Sequence, residues 1–149
     1  MADEGTAADI DISTDKSRLD IGRIHAFLSQ QSYWAKGIPR RLVEKSIANA
    51  LCFGVYFEDV QVGFARVVSD FATFAYLADV YIEEAHRGKG WSKRLVAAIK
   101  SHPELQGLRR WALVTSDAQG LYGKFGFTPL AHPERFMEIA NPGIYTAAG

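Results

Sequence analysis

The sequence predicts an α/β fold in which one mixed, mostly antiparallel sheet of six to seven strands is flanked by about four helices. Three observations carry this. Three strand-like apolar runs follow one another over residues 51–82, joined by short polar turns. A helical pattern over 88–101 then separates the third run from a further strand-like run at 110–115, a connection long enough for a parallel crossover. Helical periodicity recurs before and after these runs, so a single sheet is covered by helices.

In chain order, Ile10 to Ser13 forms a short first strand. Leu19, Ile21, Ile24, Phe27 and Leu28 recur at helical spacing, so a helix spans 19–30, with Ser17 as its candidate cap. A loop at 31–39 holds Tyr33, Trp34 and Gly37, and Pro39 opens a second helix carrying Leu42, Val43 and Ile47. Residues 51–57 and 62–68 read as a hairpin, and 73–82 as the next strand. The helix at 88–101 presents Trp91, Leu95, Val96 and Ile99 on one face. A strand at 110–115, a helix at 118–125 and two short strands at 127–130 and 135–140 complete the chain.

A length of 149 residues fits one domain with a sizeable core, placed at 9–149. Residues 1–8 are small and acidic, and disorder is expected there. The 17 acidic and 17 basic residues balance, which argues against a nucleic-acid surface. No long apolar stretch suits a membrane, and no leader pattern opens the chain. The single Cys52 cannot form an internal disulfide, so a cytoplasmic location is expected. Cys52 lies in an apolar run and reads as a small core residue.

The most informative segment is Arg87-Gly88-Lys89-Gly90-Trp91-Ser92, between a strand and a helix. A glycine-rich turn that opens a helix offers unspent backbone N–H groups and the positive end of the helix dipole, which suits a phosphate or pyrophosphate. Arg87, Lys89 and Lys93 add positive charge around it. A P-loop would need Gly-Lys-Ser/Thr after a four-residue gap, and a dinucleotide fingerprint would need glycine at position 93, which is Lys93. Neither spacing is met.

The pattern Arg-x-x-Gly-x-small at 87–92 instead resembles the acetyl-coenzyme A signature of the GNAT acyltransferase superfamily. A second segment strengthens the resemblance, because Thr115, Ala118, Tyr122, Gly126 and Phe127 match that family's later motif. The likeness covers roughly residues 50–139. It implies acetyl-CoA as acyl-donor cosubstrate, no metal, and two parallel strands that splay around the pantetheine arm. By this resemblance Val80, Tyr81 and Ile82 meet the pantetheine. Gly88, Lys89, Gly90, Trp91, Ser92 and Lys93, with Arg87, hold the pyrophosphate, and Thr115, Asp117 and Ala118 complete the donor site. Ser92 replaces the usual Gly or Ala, and Thr115 the common Asn.

Acyl transfer needs a positioned amine, a backbone donor for the oxyanion and a proton for the leaving sulfur. Tyr122 matches the family tyrosine beside that sulfur and is the candidate general acid; the alternative is a tyrosine that only packs. No ordinary base occupies positions 76 and 78, where relatives carry one. Asp79 interrupts an apolar run and is the candidate base, although it lies on the opposite strand face from Tyr76 unless a bulge re-aims it. Tyr33, Trp34, Arg66 and Tyr76 are the candidate acceptor-binding residues, with Arg66 suited to an acceptor carboxylate. The expected partner is a small-molecule amine, not nucleic acid or a membrane, and a homodimer is left open. The expected function is an N-acetyltransferase; the competing readings are a non-catalytic acyl-CoA sensor and an interaction protein whose glycine turn binds nothing.

Overall fold

Five strands form one sheet in the order β1-β2-β3-β4-β5 in the computed structural model, which describes residues 9–146. The expectation of disorder at 1–8 falls outside the described residues. Strand β1 (Ile10–Ser13), β2 (Leu51–Phe57), β3 (Val60–Ser69) and β4 (Phe74–Ile82) pair antiparallel in turn. Strand β5 (Arg110–Leu113) runs parallel to β4, reached through the crossover helix α3 (Trp91–Ser101). The hairpin between β2 and β3 turns on Glu58 and Asp59, at φ 52° and 65°. Two consecutive left-handed residues match the twist of the flanking strands, which is why β3 begins at Val60, two residues before the sequence-based start.

Side chains alternate between the faces of the sheet and divide the core in two. Helices α1 (Ile21–Gln30) and α2 (Arg40–Ala48) cover one face, burying Ile24, Phe27, Leu28, Val43 and Ile47 against Cys52, Phe64 and Tyr81. Helix α3 covers the other, burying Leu95, Val96 and Ile99 against Phe53, Val55, Val67 and Leu77. Cys52 is thus a core residue, and burial pushes its thiol up to about 11. The first helix is capped by Asp20, which accepts from Arg23 N at 3.0 Å, and not by Ser17. Ser17 lies in a separate 3-10 turn, Lys16–Arg18. Buried Gln61 explains the later start: its side chain accepts from Asp20 N at 2.7 Å and donates to Gly63 O at 3.1 Å, fixing the helix entrance to β3.

The two short strands expected at 127–130 and 135–140 do not form, so the sheet has five strands and not six to seven. Pro129 lacks an N–H for a ladder, and Pro133 opens a 3-10 turn whose carbonyl takes the Phe136 N–H. The chain beyond it runs as an irregular strap that ends in a turn at 142–146. Phe136 lies against Arg110 of β5, and Tyr145 packs beside the cluster under α1 and α2. Met137 and Ile139 between them are 94% and 102% exposed.

Candidate active site

The glycine turn has the geometry that an anion site requires. Gly88 and Gly90 adopt φ 82° and 79°, where a Cβ is strained, and Gly90 is the N-cap of α3. No side chain caps this helix, and its first backbone bond is donated by Arg94 to Gly90 O at 3.3 Å. The N–H groups of Trp91, Ser92 and Lys93 therefore lie ahead of that first bond at the positive end of the helix. The side chains divide the work around them. Trp91 is buried in the α3 core and offers only its backbone. Lys89 Nζ sits 4.9 Å from the Trp91 ring centroid, and Lys93 is exposed. Arg87 donates through Nε to Ile82 O at 2.8 Å, so it ties the end of β4 to the turn. Arg94 is paired with Asp9.

A cleft opens where β4 and β5 part. Their parallel pairing covers only Phe74–Leu77 against Arg110–Leu113. Past Leu77 one edge of β4 stays bonded to β3, with Phe64 opposite Tyr81 and Gly63 opposite Ile82. Its other edge, at Val80 to Ile82, faces the gap with backbone alone. The Tyr81 ring points away into the α1 layer, stacked 3.7 Å from Phe27, and the Ile82 side chain enters the α3 core. The parting coincides with a bulge: two residues of β4, Asp79 and Val80, stand against Ala65 of β3, and Asp79 takes φ 55°.

This bulge does re-aim Asp79, and it aims it at donors. Its Oδ1 accepts from Trp34 Nε1 at 2.7 Å and its Oδ2 from Arg66 Nε at 2.8 Å. The carboxylate is 9% exposed. Each oxygen accepts one hydrogen bond and keeps a second lone pair, so these contacts hold the carboxylate in place without closing it to a proton. Arg66 gives its Nε–H to this carboxylate and keeps its four Nη–H donors for other partners. The three side chains form one wall of the cleft.

Leu113 to Ala118, Tyr76 to Val80, Tyr33, Trp34 and Tyr122 enclose a cavity of about 550 Å³. Thr115 closes the turn that leads into the short helix α4 (Gln119–Gly123), its hydroxyl accepting from the N–H of the N-cap residue Ala118 at 3.1 Å. Tyr33 spans the mouth: its hydroxyl accepts from Ser116 N at 3.1 Å, joining the α1–α2 loop to the loop after β5. Its ring meets Trp34 edge-on at 5.0 Å. Tyr122 projects from α4 into the same cavity, 8% exposed. Burial, with Tyr33 and Asp117 near, pushes its phenol up to about 12.

The sequence brought Val80, Thr115, Asp117, Ala118, Tyr122, Tyr33, Trp34, Arg66, Tyr76 and Asp79 forward separately, and all ten line this cavity. The glycine turn lies beyond the end of β4 and lines none of it. Six lining residues were not singled out as site residues: Leu77, Ala78, Leu113, Val114, Ser116 and Glu138, the last being the charged one. Glu138 reaches the cavity from the strap, and reading 135–140 as a strand hid it. The Pro129 and Pro133 pair was the available signal against that strand.

The family model described as "Acetyltransferase (GNAT) domain" matches residues 48–129. A Gibberella zeae protein assigned as an acetyltransferase is 33% identical, over 80% of this chain and 78% of its own. A crystal structure of a protein from Xanthomonas campestris pv. campestris, assigned to the GNAT family, superposes with a TM-score of 0.91 at 54% identity. That match covers 93% of this chain and 97% of the other. A Clostridium acetobutylicum structure with acetyl-CoA shares the fold, at a TM-score of 0.63 and 16% identity. It covers 89% of this chain and 95% of its own.

Proposed function

The chain belongs to the GNAT acetyltransferase family, and on that premise we propose that it is an N-acetyltransferase moving an acetyl group from acetyl-CoA to a primary amine of a small acceptor. The observation that carries this is the parting of β4 and β5 between an uncapped helix N-terminus and Tyr122. The N–H groups of residues 91–93 hold the pyrophosphate, and the bare edge of β4 at Val80–Ile82 holds the pantetheine. The same edge offers backbone N–H groups to the oxyanion. The amine lone pair forms the new C–N bond, the C–S bond breaks, the added nitrogen loses its proton to water, and the thiolate gains one.

Tyr122 assists that last step chiefly as a hydrogen-bond donor. Its phenol at about 12 stands well above an ordinary thiol at ~8.5. Full transfer of its proton to a released thiolate is uphill by roughly 3–4 pKa units, or about 5 kcal/mol. Donating a bond to the sulfur as charge develops incurs no such cost, and solvent supplies the proton afterwards. Asp79 positions Trp34 and Arg66, and the amine loses its proton through water.

Thermal unfolding with CoA, together with release of free CoA from acetyl-CoA across an amine panel, tests this reading. CoA at a hundred times its dissociation constant adds about 2.7 kcal/mol of stability. Gly90→Val places a β-branched residue at φ 79° and removes most of that shift. Retained affinity in the variant refutes the pyrophosphate assignment. Stabilisation by CoA without turnover on any amine leaves a binding module in place of an enzyme.

A further inference from the structure

The lining of the cleft is unevenly charged. Arg66 is bound to Asp79 at 2.8 Å, so the two act as a neutral unit. The other charged groups among the described lining residues are Asp117 and Glu138, both carboxylates. Tyr33, Trp34 and Tyr76 place aromatic rings in the same lining. Aromatic faces attract cations and a carboxylate repels anions, so the pocket favours a positively charged guest over an amino acid's carboxylate. Glu138 enters from the strap and is exposed, which puts it within reach of a guest.

The chemistry narrows which charge Glu138 holds. The attacking nitrogen must be neutral. A carboxylate that bound the reacting ammonium would favour its charged form, raise its pKa and hold it unreactive. Such a contact stabilises the ground state and not the transition state. A carboxylate helps if it grips a different cation on the same molecule, one that persists through the reaction.

We infer that Glu138 is a specificity-determining residue, which selects acceptors that keep a positive charge beside the amine being acetylated. The inference rests on the acetyl-transfer reading and names its acceptor class: diamines and other amines with a second cationic group. Diaminobutane and n-butylamine differ in the second charge and serve as probes. Calorimetric binding of each to the CoA-bound protein is measured beside kcat/KM, so the inference is decided even without turnover. The diamine is preferred in the unaltered protein, and the preference shrinks with salt. Glu138→Gln reduces it about fivefold, the scale of one partly exposed charge pair. In turnover the reduction falls on KM and not kcat. Glu138→Asp restores part of the preference, and Glu138→Lys reverses its sign. The CoA-induced thermal shift reports an intact donor site in each variant. Equal binding of the two probes, or a preference unchanged in Glu138→Gln, overturns the inference while leaving the acetyltransferase reading in place.

Discussion

Tyr122 shows how much a single side chain can be weighed before any kinetics. Its ring packs in the α3 core and against Phe127, while the residue lines the cleft. Tyr122→Phe keeps the ring and removes the donor. The expected result is a fall of about tenfold to a hundredfold in turnover, below the ~10²–10⁴ of full general-acid help because only a hydrogen bond is lost, with acetyl-CoA affinity nearly unchanged. Because burial holds the phenol up at about 12, it stays protonated through the neutral range. The rate therefore rises with pH as the acceptor amine loses its proton and shows no falling limb from Tyr122 below about pH 11. A Phe variant with full activity excludes the donor role, and one that loses stability along with activity points to packing. The resemblance of Thr115, Ala118, Tyr122 and Gly126 to the GNAT motif is what brought Tyr122 forward from the sequence. Glu138 was not brought forward, because nothing in its neighbours says which way an irregular segment runs.

The bulge in β4 links an irregularity of one strand to the wall of the cleft. Sequence alternation places Asp79 on the wrong face for the site, and an extra residue reverses that. A hydrophobic pattern carries no mark of such a bulge, since the strands on either side keep their period. The same bulge sets up the ion pair with Arg66, which is 21% exposed against 9% for Asp79. Arg66→Met leaves a nearly buried carboxylate with only Trp34 as partner. The cost expected is about 2 kcal/mol, below the ~3–5 of a fully buried pair because Arg66 meets solvent. Adding Asp79→Asn, which tolerates the left-handed φ, recovers part of it. Denaturant unfolding of the single and double variants checks this, and additive losses would mean that the two residues are not energetically coupled. The long apolar elements were legible because periodicity encodes them. The strap was misread because a short apolar run such as 135–140 does not by itself supply a ladder partner.

Taken whole, the molecule rests on two apolar layers with ionisable groups buried in both. Cys52, Tyr81 and Tyr122 all have values raised by burial, Cys52 to about 11 and Tyr122 to about 12. Each is neutral when protonated, and the unfolded chain releases these protons at lower pH than the folded one. Their contribution is fully present below about pH 9 and is lost as pH rises through 11 and 12. The melting temperature is expected to hold through the neutral range and to fall steeply above about pH 9. A flat curve to pH 11 contradicts the burial of these groups. The same unevenness of attachment bears on motion. Four residue pairs hold β5 to β4, in the parallel arrangement that is weaker per residue, and among the described residues no other strand pairs with it. Strands β2, β3 and β4 are joined by far longer ladders. Strand β5 and helix α4 are therefore expected to open at a lower free energy than β3, and their amides to exchange with deuterium ahead of those in β3. On the proposed function, a donor lying in the gap would bond to the bare edge of β4 and stand in for the strand pairing that is missing there. Part of its binding energy would then be spent on ordering, and the expected outcome is added exchange protection across β5 and α4 when CoA is present.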